Sequence, residues 1–146
     1  MTFNQHFIEK KLAELKKYCR EIESFFQNTD DKILHTTVLL RNGERLLQLA
    51  VDTMIDVNQH FIKELHLPTS DDFQGTFLIL AENKILPEVF AEKIAPVVGL
   101  RNRIVHRYET INKKLFLSSF RKNFQDFGAY LKYVHAYLER QNNASH

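Results

Sequence analysis

Glu44-Arg45-Leu46-Leu47-Gln48-Leu49-Ala50-Val51-Asp52-Thr53-Met54-Ile55-Asp56-Val57-Asn58-Gln59-His60-Phe61-Ile62-Lys63-Glu64-Leu65 places Leu47, Val51, Met54, Phe61 and Leu65 at intervals of three, four and seven. Such spacing lines up one side of an α-helix and gives the stretch an apolar stripe that must be buried against another element. Working backwards, Asn28-Thr29-Asp30-Asp31 offers N-cap candidates and acids for a first turn, so one very long helix is expected from about Asp31 to Leu65. Pro68 marks its end.

The same period runs through the rest of the chain. Ile8, Leu12, Leu15, Tyr18, Cys19, Ile22, Phe25 and Phe26 define an amphipathic helix over about Phe3 to Gln27. Asp71 with Gln74 three residues on has the form of a capping box, opening a short helix through Phe73, Phe77, Leu78 and Ala81. A further helix starts at Pro87 and is kinked or split at Pro96 and Gly99. The last runs from about Lys113 to Arg140 on Phe116, Phe120, Phe124, Phe127, Leu131, Val134 and Leu138, with a frayed tail beyond.

No segment reads as a strand. Helices of this length joined by short turns imply antiparallel neighbours, so the expected fold is all-α, an up-and-down antiparallel helical bundle, in a single domain over residues 1–146. The generous aromatic stripes leave apolar surface for a second copy of the chain.

Composition narrows the function classes. No basic stretch followed by an apolar run opens the sequence, and nowhere do about 18 uncharged apolar residues follow one another, so export and membrane insertion are not expected and the cytoplasm is. Cys19 is the only cysteine and falls at core spacing, which points to a buried, inert thiol. His6, His35, His60, His66, His106 and His135 are scattered without the spacing of a metal site, and no Gly-rich phosphate loop is present. No metal or cofactor is expected.

Net charge is only +2, yet Arg101, Arg103, Arg107, Lys113, Lys114, Arg121 and Lys122 face a single acid, Glu109, between positions 101 and 122. A run of this kind is either a solvated helix face or a surface for a polyanion.

The pattern breaks within this run. Over residues 97–109 a helix puts Val97, Val98, Arg101, Ile104, Val105 and Tyr108 on one broad side, so Arg101 lies in an apolar stripe. A buried, unpaired guanidinium costs several kcal/mol, on the order of the penalty for any buried charge, so Arg101 must meet an acid or line a wet cleft open to an anion. Glu44, inside the stripe of the long helix, is the expected counter-ion. Asn102 and His106, four apart, stack along the edge of this side, about 100° or more around from Arg101. Arg101 and His106 therefore aim at a common point only if the backbone departs from ideal geometry near Gly99 or if a second copy completes the site across a two-fold axis; the dimer is favoured. Arg103 and Arg107 point to the other side, as a solvated basic edge or as phosphate contacts.

Arg101-Asn102-Arg103-Ile104-Val105-His106-Arg107-Tyr108 resembles the R-x4-H-x-Y signature of the HepT toxins in the HEPN superfamily, in which Asn commonly follows the Arg. The resemblance extends over most of the chain in helix number, the long second helix, and a signature placed after a Gly and before the final helix. It implies a homodimer whose two signatures face each other across a cleft as a composite ribonuclease site. It also implies a companion antitoxin, a minimal nucleotidyltransferase of the MntA type, that attaches AMP to the signature tyrosine, here Tyr108.

The residues suit that chemistry. Cleaving RNA without a metal needs a base for the 2′-hydroxyl proton, a cation for the charge growing on phosphorus, and an acid for the departing 5′-oxygen. An imidazole can take either proton role near neutrality, which assigns catalysis to His106. A guanidinium keeps its proton and clamps phosphate by a forked pair of hydrogen bonds, which assigns the phosphate to Arg101. Asn102 is a supporting residue that orients His106 or holds a phosphate oxygen, unless it makes only a local capping bond. AMP on Tyr108 would set bulk and negative charge two residues from His106 and oppose RNA entry. The alternative is a non-catalytic HEPN module that binds nucleotides or partners beside a nucleotidyltransferase; weaker still is a plain helical scaffold in which Arg101 is only salt-bridged.

Overall fold

The computed structural model describes residues 4–106 and 112–144. These form α1 (Gln5–Phe25), α2 (Asp30–His35), α3 (Thr37–Glu64), α4 (Phe73–Glu82), α5 (Glu88–Ile94), α6 (Val97–His106), α7 (Lys113–Phe124) and α8 (Phe127–Ala144), with no strand among the described residues. None of the described helices is long and apolar enough to cross a membrane.

The stripe of α3 is the axis of the bundle. Leu47, Val51, Met54 and Phe61 are fully buried, each worth about 1.5–3 kcal/mol in transfer from water. Leu65, just past the helix, is only partly covered. α1 lies antiparallel to α3, as three contacts show: Asn4 N–H donates to His60 Nε2 at 3.0 Å, Lys11 Nζ meets Asp56 Oδ2 at 3.2 Å, and Phe25 packs on Gly43. At Gly43 a Cβ would run into the Phe25 ring, so the glycine is what lets an aromatic side chain lie directly on the α3 backbone.

α8 runs in the same direction as α3. Its Tyr130 hydroxyl reaches the Met54 carbonyl and Asn58, and Tyr137 meets Phe61 edge-on at 5.6 Å. α5 opposes α8, with Phe90 against Tyr133 and Lys93 against Asp126. α1 and α5 thus run against α3 and α8, as an up-and-down bundle requires.

Three of the expected long helices are divided. Thr36 is extended at φ −122° and ψ 99°, ending α2 and starting α3 at once. Its β-branched side chain favours such a backbone over a helical one, and no side-chain bond caps α3 there. The division expected at Pro96 falls between α5 and α6. The third, at Gln125-Asp126, was not expected: Asp126 is turned inward at the start of α8, 6% exposed and held by Lys93 Nζ at 3.2 Å. An acid is favoured at a helix N-terminus, and a straight helix through position 126 would forfeit that placement. Two smaller corrections follow. Asp72, not Asp71, caps α4, its Oδ1 accepting the Gly75 N–H at 2.7 Å. The tail expected to fray from position 141 continues as helix to Ala144.

A buried polar chain crosses the core between α4, α3 and α8. The Thr76 hydroxyl donates to the Phe73 carbonyl at 2.6 Å and accepts from Asn58 Nδ2 at 3.1 Å, while Asn58 Oδ1 accepts from the Tyr130 hydroxyl at 2.6 Å. Tyr130 and Asn58 are both fully buried, and burial pushes the Tyr130 phenol well above its ordinary pKa. Replacing Tyr130 by Phe leaves Asn58 Oδ1 without its donor, so we expect a loss of about 1–3 kcal/mol in a denaturant titration, with the helical circular dichroism unchanged.

His60 fastens the start of α1. Its ring stacks on Phe7 at 4.5 Å and its Nε2 accepts the Asn4 N–H, which only a neutral imidazole can do. Burial lowers its pKa below the ordinary 6.5. The unfolded chain therefore binds a proton here before the folded one does. Stability from this contact is complete above about pH 6.5 and declines as pH falls through the depressed folded value. Melting temperatures of the native protein and of His60→Leu, compared from about pH 8 down to about pH 5, should converge at the acid end.

Candidate active site

α6 carries the signature residues from Arg101 to His106. Val97, Val98, Leu100 and Ile104 are buried and seat the helix on the core. Val105, expected among them, is 39% exposed, which places the edge of the buried side between Arg101 and Val105. Arg101 sits on that edge with 16% of its side chain exposed.

Its counter-ion is Asp52 of α3. Arg101 Nε donates to Asp52 Oδ1 at 2.7 Å, and Nη1 donates to Asn102 Oδ1 at 2.9 Å. The guanidinium lies over the Phe73 ring, 5.6 Å from its centre, on the first turn of α4. The expected pairing with Glu44 is wrong. Glu44 is buried as expected, yet its carboxylate takes Arg41 Nη1 at 2.9 Å, and eight residues separate it from Asp52, about 12 Å along a helix. Asp52 was passed over because it stands at the edge of the α3 stripe, where 34% of its side chain is exposed. The usable signal was an acid bordering the stripe within reach of a long arginine, beside the fully buried Val51.

Asn102 is half-buried and spends its carbonyl oxygen on Arg101, not on a helix cap. His106 is exposed at the last turn of α6. Five residues from Arg101, it stands about 140° around the helix and about 7.5 Å along it. Arg101 is engaged by Asp52, Asn102 and Phe73, and His106 is not among them. Gly99, seven residues before His106, lies within about 20° of the same line along α6. A Cβ there would meet nothing within 4 Å.

The basic run is less uniform than its composition. Arg121 is bound to Asp30 of α2 and stacked over Phe26 at 4.5 Å, and Arg101 is bound to Asp52. Arg103, Lys113, Lys114 and Lys122 are exposed. Arg107 and Tyr108 lie outside the described residues. Among the described residues no three His, Cys, Asp or Glu side chains stand together as a metal-binding group. Cys19 is half-buried, and burial pushes its thiol up to about 11, in keeping with the inert thiol expected.

An all-helical bundle with this arginine held in the edge of its core has the fold of HEPN proteins. A tri-AMPylated HEPN toxin of Shewanella oneidensis, solved in complex with MNT antitoxin, superposes with a TM-score of 0.81 at 22% identity, over 91% of this chain and 98% of that one. A family model described as ribonuclease HepT-like matches residues 15–134. The tRNA nuclease HepT of Aphanizomenon flos-aquae is 30% identical, over 90% of this chain and 89% of its own. The mRNA nuclease HepT of Shewanella oneidensis is 24% identical, over 88% and 96%. The chain belongs to the HepT-like ribonuclease family.

Proposed function

We propose that this protein is the toxin of a toxin–antitoxin pair, an endoribonuclease that cleaves RNA without a metal at a site shared by two copies of the chain. The observation that carries this reading is the fixed, half-open guanidinium of Arg101 on the same short helix as the exposed His106. One chain offers a phosphate clamp and a proton carrier on different sides of α6. A two-fold partner would supply the missing half twice over. Gly99 supports close approach: glycine costs a helix about 1 kcal/mol against alanine, and nothing among the described residues needs the space its side chain leaves.

In this scheme one His106 removes the 2′-hydroxyl proton while the other protonates the leaving 5′-oxygen. Arg101 stabilises the pentavalent phosphorus between them. Arg103 and Arg107 attract the strand through its phosphates. The antitoxin, an MntA-type nucleotidyltransferase, silences the enzyme by transferring AMP from ATP to the Tyr108 hydroxyl with release of pyrophosphate, and the added phosphodiester repels RNA. The AMPylated Shewanella toxin bound to MNT antitoxin supports both the partner and the modification.

Purified protein incubated with transfer and messenger RNA in EDTA should leave 2′,3′-cyclic phosphate and 5′-hydroxyl ends. His106→Ala should cut at least about 100-fold more slowly. Loss of cleavage on chelation, or full activity in His106→Ala, would overturn the mechanism. A Tyr108→Phe variant should stay toxic when the antitoxin is co-expressed; continued silencing by AMP transfer would exclude Tyr108 as the acceptor.

A further inference from the structure

A guanidinium carries five N–H donors in one rigid plane. In Arg101 the Nε–H is taken by Asp52 and one Nη1–H by Asn102, with the Phe73 ring beneath the plane. Among the described residues the other three N–H groups, one on Nη1 and two on Nη2, are not taken, and these two nitrogens form the end of the fork. That end is the geometry that grips two oxygens of a phosphate at once. Without Asp52, rotation about the last side-chain bonds would sweep this end through a wide arc. Asn102 is on the same helix as Arg101, whereas Asp52 comes from α3, so Asp52 fixes the guanidinium against the body of the protein.

We propose that Asp52 is a positioning residue for RNA cleavage, acting through Arg101 by holding its Nε so that the free end of the guanidinium is aimed at the scissile phosphate. The inference rests on the ribonuclease reading above and adds a residue from outside the signature. It carries a consequence that a structural salt bridge does not. Asp52 is itself an anion, one-third exposed beside the phosphate position. It opposes RNA approach while it orients the residue that stabilises the reacting phosphate. Neutralising it must therefore slow the chemical step without weakening RNA binding.

The test is steady-state and single-turnover cleavage by Asp52→Asn and Asp52→Glu, alone and combined with Arg101→Lys, alongside melting temperature. Asp52→Asn should lower kcat about ten- to a hundred-fold, with KM for RNA unchanged or smaller. Asp52→Glu, which keeps the charged acceptor, should regain most of that rate. Lysine has no Nε–H, so in the Arg101→Lys background the Asp52→Asn change should cost little more. The Arg101 Nε–H nitrogen–proton NMR signal should be protected from exchange in the native protein and lose that protection in Asp52→Asn.

Wild-type kcat in Asp52→Asn, or losses that multiply in full with those of Arg101→Lys, would overturn the proposal. So would a rise in KM with kcat intact. If Arg101→Ala proves inactive while Asp52→Asn is fully active, the ribonuclease reading survives and this inference alone fails; an active Arg101→Ala removes both.

Discussion

The ion pair between Arg101 and Asp52 meets a constraint that the rest of the site inherits. A cation at the margin of an apolar face must be compensated, because desolvation of an unpaired charge costs more than the burial of its aliphatic stem returns. Compensation by an acid on α3 couples α6 to the central helix of the bundle, and compensation by Asn102 couples the guanidinium to its own helix. With 16% of the arginine side chain and 34% of the aspartate exposed, the pair is neither sealed in the core nor free in solvent. A sealed pair would be chemically idle. A solvated one would be worth less than about 1 kcal/mol and would not fix an orientation.

The core supports that placement from the other side. Thr76 of α4, Asn58 of α3 and Tyr130 of α8 share one buried chain of hydrogen bonds. The same Thr76 hydroxyl reaches back to the Phe73 carbonyl, and the Phe73 ring lies under the Arg101 guanidinium. The backbone that carries the ring is therefore tied to the interior of the protein, while the ring itself is 39% exposed. Hydrogen bonds buried in this way are directional, and they specify one register of α4 against α3 where apolar contact alone would accept several.

Helical periodicity made the bundle legible from the sequence, since Leu47, Val51, Met54 and Phe61 need only a period to declare which side of α3 is covered. The breaks were legible only where proline enforces them, at Pro96 and not at Thr36 or Asp126. Asp126 depends on a tertiary partner, Lys93 of another helix, and a local pattern does not contain its partner; at Thr36 the bias of one β-branched side chain is too weak to mark a break on its own. The site divides in the same way. Arg101 stood out because it violated its own stripe. Its counter-ion did not, because Asp52 respects the pattern of α3, whereas Glu44 breaks the α3 stripe much as Arg101 breaks that of α6. An arginine side chain reaches across the boundary between buried and exposed, so its partner has no need to violate anything. Tyr130, Asn58 and Thr76 gave no sign for a related reason: each is ordinary in its own helix, and only their meeting in space is unusual.

The division of labour along α6 follows from where each residue stands on it. Arg101 lies where the helix still rests on α3 and can be immobilised, which suits the charge-stabilising role proposed for it, since a preorganised dipole or charge does no reorganisation work during a reaction. His106 stands on the exposed side of the last turn of α6, opposite the core contact that Ile104 makes. A proton carrier needs solvent access to recover its protonation state between turnovers, and burial of the kind that fixes Arg101 would penalise the charged form of an imidazole. One side chain had to be held and the other left accessible. Five residues of helix, about 140° of rotation, separate the two environments within one chain. The same rotation that gives each residue its proper surroundings also turns them away from each other, which is why the site proposed above draws them from two copies of α6.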